Sequence, residues 1–417
     1  MSIKYLLFAA FLTAISCGQS SGDGADSKAQ LTSQKTLEFP KLLDRSEALR
    51  YGKEWDEVQN FYSAQCSALR LNPQDFEARL KLAECFIQEA RVTGEHPHYY
   101  PAAMEMVEGV IRGLETKTTP NIKEKDLLFR ALSHKASIQL SLHDFAAAKT
   151  TAEMAIALNP YNAYILGCLV DAHVELGQYA KAVEVCDKMV SVRPDLRSYA
   201  RVSYLREIHG DPKGAIQAME MAVSAGYPGY EQTEWARLQL GQMHEKYGDD
   251  KQAEMQYKMA LEFRPNYPFA LGALAGLESK KGNQTKALEL LHQAADIVPE
   301  IGFYIDMAKI YREQGNKETF SKLIPEIEAM FQEDMAAGHN MSMEAARFQL
   351  EIKGDTGKAL ELLQNEQKNR SENIDLSRLL AEIYLKAGDK TASREALARA
   401  NATNSKDPEL LKLQTNI

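Results

Sequence analysis

No surplus of positive charge is available to hold a polyanion. Lys and Arg total 49 against 58 Asp and Glu, a formal net charge of −9. Phosphate contact needs a basic surface, so nucleic acid is not an expected partner. There is no CxxC pair and no Cys/His cluster at zinc spacing, which leaves no metal expectation. His96 and His98, with Glu95 beside them, are two loop histidines without a third ligand in sight. HExxH, GxSxG and a phosphate-cradling glycine loop are missing too, and no nucleophile has an evident base. The chain is therefore read as non-catalytic and free of cofactors. Cysteine is scarce, five in 417 residues. Cys66, Cys85, Cys168 and Cys186 are spread along a long chain, which suits buried thiols better than a disulfide framework. Should pairs form, Cys66–Cys85 and Cys168–Cys186 are the candidates.

At the N-terminus Lys4 precedes an apolar run, Tyr5 to Ile15, that is too short to span a bilayer. Residues 1–16 read as a cleaved export signal. The segment Ala14-Ile15-Ser16-Cys17 resembles the bacterial lipoprotein box, which implies lipidation of Cys17. Residues 17–38 are rich in Gly, Ser, Asp and Gln and form an expected flexible tether. Removing the signal takes Lys4 with it and moves the net charge to −10.

Helical patterning begins near Phe39. From residue 177 a glycine recurs: Gly177, Gly210, Gly248, Gly282, Gly315, Gly354 and Gly388. In six cases Asp or Asn follows, at 211, 249, 283, 316, 355 and 389. Five residues past the glycine stand Ala182, Ala215, Ala253, Ala287 and Ala359. Glycine accepts the left-handed backbone that ends a helix, and Asp or Asn caps the next. The alanine lets two antiparallel helices approach closely. The spacings are 33, 38, 34, 33, 39 and 34 residues, with the extra residues near Gly226 to Gly229 and Ala337 to Asn340.

This pattern resembles the tetratricopeptide family, whose helical hairpins repeat at about 34 residues. Residues 163–196 carry the family positions on Leu166, Leu169, Val170, His173, Ala182, Cys186 and Met189, and Pro194 closes the unit. Residues 234–267 and 268–300 hold the same register; residues 129–162 keep it with His143 where glycine is usual. The resemblance implies a right-handed, all-α solenoid of about ten hairpins. Eight units fill 129–407, after irregular hairpins over 39–128 that Gly94 to Pro101 interrupts. The expected place of Tyr99 and Tyr100 is in an ordered loop packed on the next helix. Residues 408–417 are expected to cap the last apolar face.

In this family the first helix of each unit lines a concave groove. Carried over position by position, the groove candidates are Arg130, Ser133, Tyr164, Asp171, Tyr204 and Glu207. Trp235, Gln242, Glu245, Phe269, Lys309 and Arg312 follow in later units. Aromatics beside both signs of charge suit an extended peptide or helix. Gly272 and Gly276 on the same face would leave room for a bulky group, or simply allow close helix approach. The Lys and Asn pairing with which some family members hold a carboxylate tail is absent here. The implied function is a scaffold for one or more envelope proteins, anchored through Cys17 and placed at the outer membrane facing the periplasm. The alternative is an envelope receptor for a glycan or peptide linked to uptake.

Overall fold

A computed structural model describes residues 38–416, and the regular structure of these residues is entirely helical. The expected signal, tether and Cys17 lie outside the described residues, Glu38 excepted. Phe39 to Ser46 is irregular rather than helical; its Phe39, Leu42 and Leu43 pack on the first hairpins. The lone helix α1 (Glu54–Leu71) comes next. Nine antiparallel pairs follow. They begin with α2 (Phe76–Thr93) and α3 (His96–Glu115), then α4 (Ile122–Ser141) and α5 (Phe145–Leu158). Next come α6 (Ala163–Glu175) with α7 (Tyr179–Val192), and α8 (Leu196–Ile208) with α9 (Pro212–Ser224). Then α10 (Glu231–Lys246) pairs with α11 (Asp250–Phe263), and α12 (Pro268–Lys280) with α13 (Gln284–Ile297).

The C-terminal pairs are less regular. α14 (Ile301–Glu313) meets the long α15 (Lys317–Ala336). α16 (Ser342–Phe348) runs into a π-helical turn, Gln349–Lys353, and its partner is broken into α17 (Thr356–Leu362) and α18 (Gln364–Asn369). α19 (Ile374–Ala387) pairs with α20 (Lys390–Ala400), and α21 (Pro408–Asn416) lays Leu410 and Leu413 over the last apolar face.

The turn chemistry explains the pairing. All seven repeat glycines have positive φ, between 71° and 88°. His143 takes the same left-handed form at φ 60°, and its ring reaches the Asn340 carbonyl at 2.9 Å. Asp211, Asp249, Asn316, Asp355 and Asp389 each accept an N–H from the first turn of the following helix. Asn283 does not; its amide donates to Glu278 instead. Ala182, Ala215, Ala253, Ala287 and Ala359 are wholly buried at the close approach of paired helices. A hairpin cannot cover its own apolar stripe, so the core forms a chain of clusters that each bridge neighbouring pairs.

The segment Gly94 to Pro101 is not a loop. Only Gly94 and Glu95 turn the chain; Pro97 lies in the first turn of α3, where its missing N–H is no loss, and Pro101 is carried inside the helix. Tyr99 and Tyr100 are buried. The Tyr99 ring stacks on Phe86 at 6.0 Å between centroids, and its hydroxyl accepts the Leu43 N–H.

Candidate ligand-binding cavity

The array coils far enough to touch itself. The Asn340 N–H donates to the Leu142 carbonyl at 3.0 Å. The Tyr179 hydroxyl accepts the Ile374 N–H at 2.8 Å. Arg370 pairs with Glu175 at 2.7 Å, and Arg264 with Glu54 at 3.2 Å. These contacts join residues 195 to 210 positions apart, about six units of roughly 34 residues. One superhelical turn therefore takes about six hairpins, and the next lies against it along a polar seam.

The inside of the first turn holds a partly open cavity of about 730 Å³. Its walls are mainly the first helices of five successive pairs, with Gln88 and Arg91 on α2 and His134 on α4, while Met189 and Met219 reach in from the second helices α7 and α9. Tyr164 and Asp171 enter from α6, Arg197, Arg201 and Tyr204 from α8, and Trp235 and Met243 from α10. Arg91 lies 3.1 Å from Glu231 and ties α2 to α10. The indole of Trp235 is the most solvent-accessible of these aromatics, at 38% exposure for the residue.

Its charges are mostly matched. Asp171 takes two bonds from Arg201, at 2.8 and 2.5 Å, and its charge raises the Arg201 pKa against the effect of burial. His134 contacts Glu84 at 3.0 Å, and that hydrogen bond leads in holding the carboxyl below its usual range. Lys246 pairs with Glu207 at 2.8 Å. Burial pushes Glu175 up to about 7, against the pull of Arg370. Burial also raises the Tyr164 and Tyr204 hydroxyls, so both are neutral donors at any physiological pH. Cys168, on the same wall, is pushed up to about 12 and is no nucleophile at neutral pH. Cys66, Cys85 and Cys186 are likewise buried free thiols.

Of the groove candidates, Tyr164, Asp171, Tyr204, Glu207 and Trp235 line this one cavity. The others do not. Arg130 reaches back to Glu77 at 2.7 Å, and the Ser133 hydroxyl is buried on the Phe129 carbonyl. Gln242 is exposed outside the lining, because α10 turns the neighbouring Met243 inward. Glu245 accepts from the Tyr257 hydroxyl. Phe269 packs between Tyr267 and Phe303 as inter-unit core. Lys309 is held by Asp306 and Glu351, and Arg312 donates to the Glu351 and Ile352 carbonyls at the π-helical turn. Gly272 makes room for the Phe303 ring, while a side chain at Gly276 would meet open space. Position-by-position transfer overlooked Arg197, at the second position of its unit and so recoverable by the same rule, and Arg201, one place past a groove position.

Among the described residues no group of three or more His, Cys, Asp or Glu could hold a metal ion, and no helix is long and apolar enough to cross a membrane. His98 is bonded to the Lys41 carbonyl, and His96 packs on Tyr100 and His339.

Residues 352–417 match the family model described as Tetratricopeptide repeat. No curated protein sequence matches the chain significantly. Among solved structures it is similar to PilW, a widely conserved type IV pilus biogenesis factor, at 19% identity and TM-score 0.41 over 49% of this chain and 94% of that one. It is also similar to TTC0263, a thermophilic tetratricopeptide protein of Thermus thermophilus, at 19% identity and TM-score 0.40, covering 48% and 98%. The Cut9–Hcn1 complex of the APC/C covers 89% of this chain with 61% of its own, at 12% identity and TM-score 0.45. The family match places a tetratricopeptide repeat in residues 352–417, within a described chain built of successive paired helices. Proteins built on this repeat serve in general as scaffolds that bind other proteins, and the fold suggests that role here.

Proposed function

We propose that this chain is a non-catalytic scaffold that takes a segment of a partner protein into the cavity of its first superhelical turn. The observation that carries the reading is the convergence of Tyr164, Tyr204 and Trp235 on one cavity of about 730 Å³. Large amphipathic side chains in a concave site dominate contact energies at protein interfaces. The segment enters extended or as a single helical turn, which a cavity of about 730 Å³ accommodates. Lipid at Cys17 holds the scaffold in the cell envelope, and the partner is an envelope protein at the outer membrane.

Panning a display library of random dodecapeptides against the full chain tests this. Enriched peptides should bind the wild type and lose about tenfold or more of their affinity with Trp235→Ala, the expected cost of a central aromatic anchor. Enriched peptides indifferent to Trp235 and Tyr204 would overturn the site. A second reading, a receptor for a small ligand, is favoured by the volume, because 730 Å³ falls within the usual range for small-molecule pockets. A library that yields no peptide would shift the account to that reading.

A further inference from the structure

Seven charged side chains line the cavity, and six have an oppositely charged partner or a histidine beside them. Glu84 faces His134, Arg91 faces Glu231, Asp171 faces Arg201, Glu175 faces Arg370 and Glu207 faces Lys246. Arg197 is the exception. It stands at the start of α8, and its guanidinium makes no ion pair among the described residues. The Gln232 side-chain oxygen accepts from Nε and Nη2 at 3.3 and 3.1 Å. The Tyr164 ring lies beneath the guanidinium, 5.5 Å from its carbon to the centroid. These two contacts fix the fork and leave Nη1 without a protein acceptor among the described residues. A half-buried cation without a counter-ion is costly unless something else supplies the charge. The other cavity charges are already engaged, so Arg197 is left as the cation without a carboxylate at ion-pair distance among the described residues, Asp195 acting on it only from farther off.

We propose that the cavity selects a ligand bearing one carboxylate, which docks on Arg197 while its apolar body lies along Tyr164 and Trp235. The inference rests on the binding reading above and names the chemistry of that site. Four carboxylates on the same walls, Glu84, Asp171, Glu175 and Glu207, disfavour a dianion such as a phosphate ester. Burial leads in lowering the Arg197 pKa, with Arg91 and Arg201 adding to it and Tyr164 and Asp195 opposing it. In a partner protein the carboxylate is an Asp or Glu side chain or the chain terminus, and a free organic acid offers the same group.

The test presents the full chain with a pool of N-acetylated octapeptides. Matched halves of the pool carry free or amidated C-termini, and matched halves contain or lack Asp and Glu. Retained peptides are read by mass spectrometry for wild type, Arg197→Met and Arg197→Lys. The wild type should retain carboxylate-bearing peptides with an advantage of roughly tenfold to a hundredfold, the scale of a charge-assisted hydrogen bond. The half that is enriched identifies side chain or terminus as the source. Arg197→Met should abolish the advantage at unchanged helical circular dichroism, and Arg197→Lys should keep part of it. Retention without preference, or a preference that survives Arg197→Met, overturns the carboxylate proposal while leaving peptide binding intact. If no peptide is retained, the peptide reading fails, and 2-naphthoate against 2-naphthamide decides the chemistry through Trp235 fluorescence in a Trp55→Phe background. Naphthoate binding lost in Arg197→Met supports the site, and equal or absent binding of both overturns it. Tighter binding of a naphthyl phosphate than of naphthoate would overturn the single-charge argument.

Discussion

Replacing Gly177 by alanine should cost far more than replacing Gly248, although both end a first helix with the same left-handed backbone. Their φ angles are 71° and 88°. A β-carbon at Gly248 meets nothing within 4 Å. Gly248→Ala therefore isolates the backbone term, about 1 to 2 kcal/mol for a non-glycine residue in that conformation. At Gly177 the same carbon would stand 2.5 Å from the Glu372 carbonyl carbon and 2.6 Å from its oxygen. These atoms belong to the backbone of the next superhelical turn and cannot rotate aside. Gly177→Ala thus adds an overpacking cost of about 1 to 3 kcal/mol, or opens the seam there. Urea unfolding of both variants measures the difference, with hydrogen exchange at the Ile374 amide to tell a shifted seam from a strained turn. Equal losses of stability would refute the reasoning, because they would mean that Glu372 does not lie against Gly177 in solution.

Three further outcomes follow from other parts of the molecule. His339 is buried with both ring nitrogens unpartnered, beside His143 and His96, and burial lowers its pKa to about 3. The unfolded chain then takes up a proton below pH ~6.5 that the folded one refuses, so stability falls as pH drops from 6.5 toward 3. His339→Leu should remove about 1 to 2 kcal/mol of that loss at pH ~5, read from thermal melts across pH. Burial pushes Glu300 up to about 7, with Asp334 adding to the shift. The folded state holds that proton more tightly, so stability from this group falls as pH rises from ~4.5 to 7, and Glu300→Gln should be the more stable protein at pH ~8. Cys17→Ser should abolish incorporation of labelled fatty acid and release the protein from membranes; labelling that persists would sink the anchor.

Local features were legible and long-range ones were not. Gly177 and Asp211 announce turns because a positive φ and a first-turn N–H are satisfied within five residues of chain. Ala182 and Ala253 announce close helix contact for the same reason: their partners lie one hairpin away. The seam leaves no such signature. Glu175 and Arg370, or Leu142 and Asn340, are ordinary residues whose pairing depends on the accumulated rotation of about six units. Without that rotation the groove could be listed by position but not closed. By position Lys309 and Arg312 fall on the same helix face as Tyr164, whereas each is engaged with the unit that follows it. Gly94 to Pro101 misled differently. Pro97 reads as a loop residue until it is placed in the first turn of a helix, where proline is tolerated.

The amides of Asn340 and Ile374 test the coiled array most directly. Asn340 lies in a loop, and Ile374 begins α19, so neither amide has a partner within its own helix. The Leu142 carbonyl and the Tyr179 hydroxyl, each from the preceding superhelical turn, are their acceptors. Native-state hydrogen exchange should find both amides protected, with Tyr179→Phe releasing Ile374 alone. Exchange of both at the rate of an open chain would contradict the account, because successive superhelical turns would then not meet.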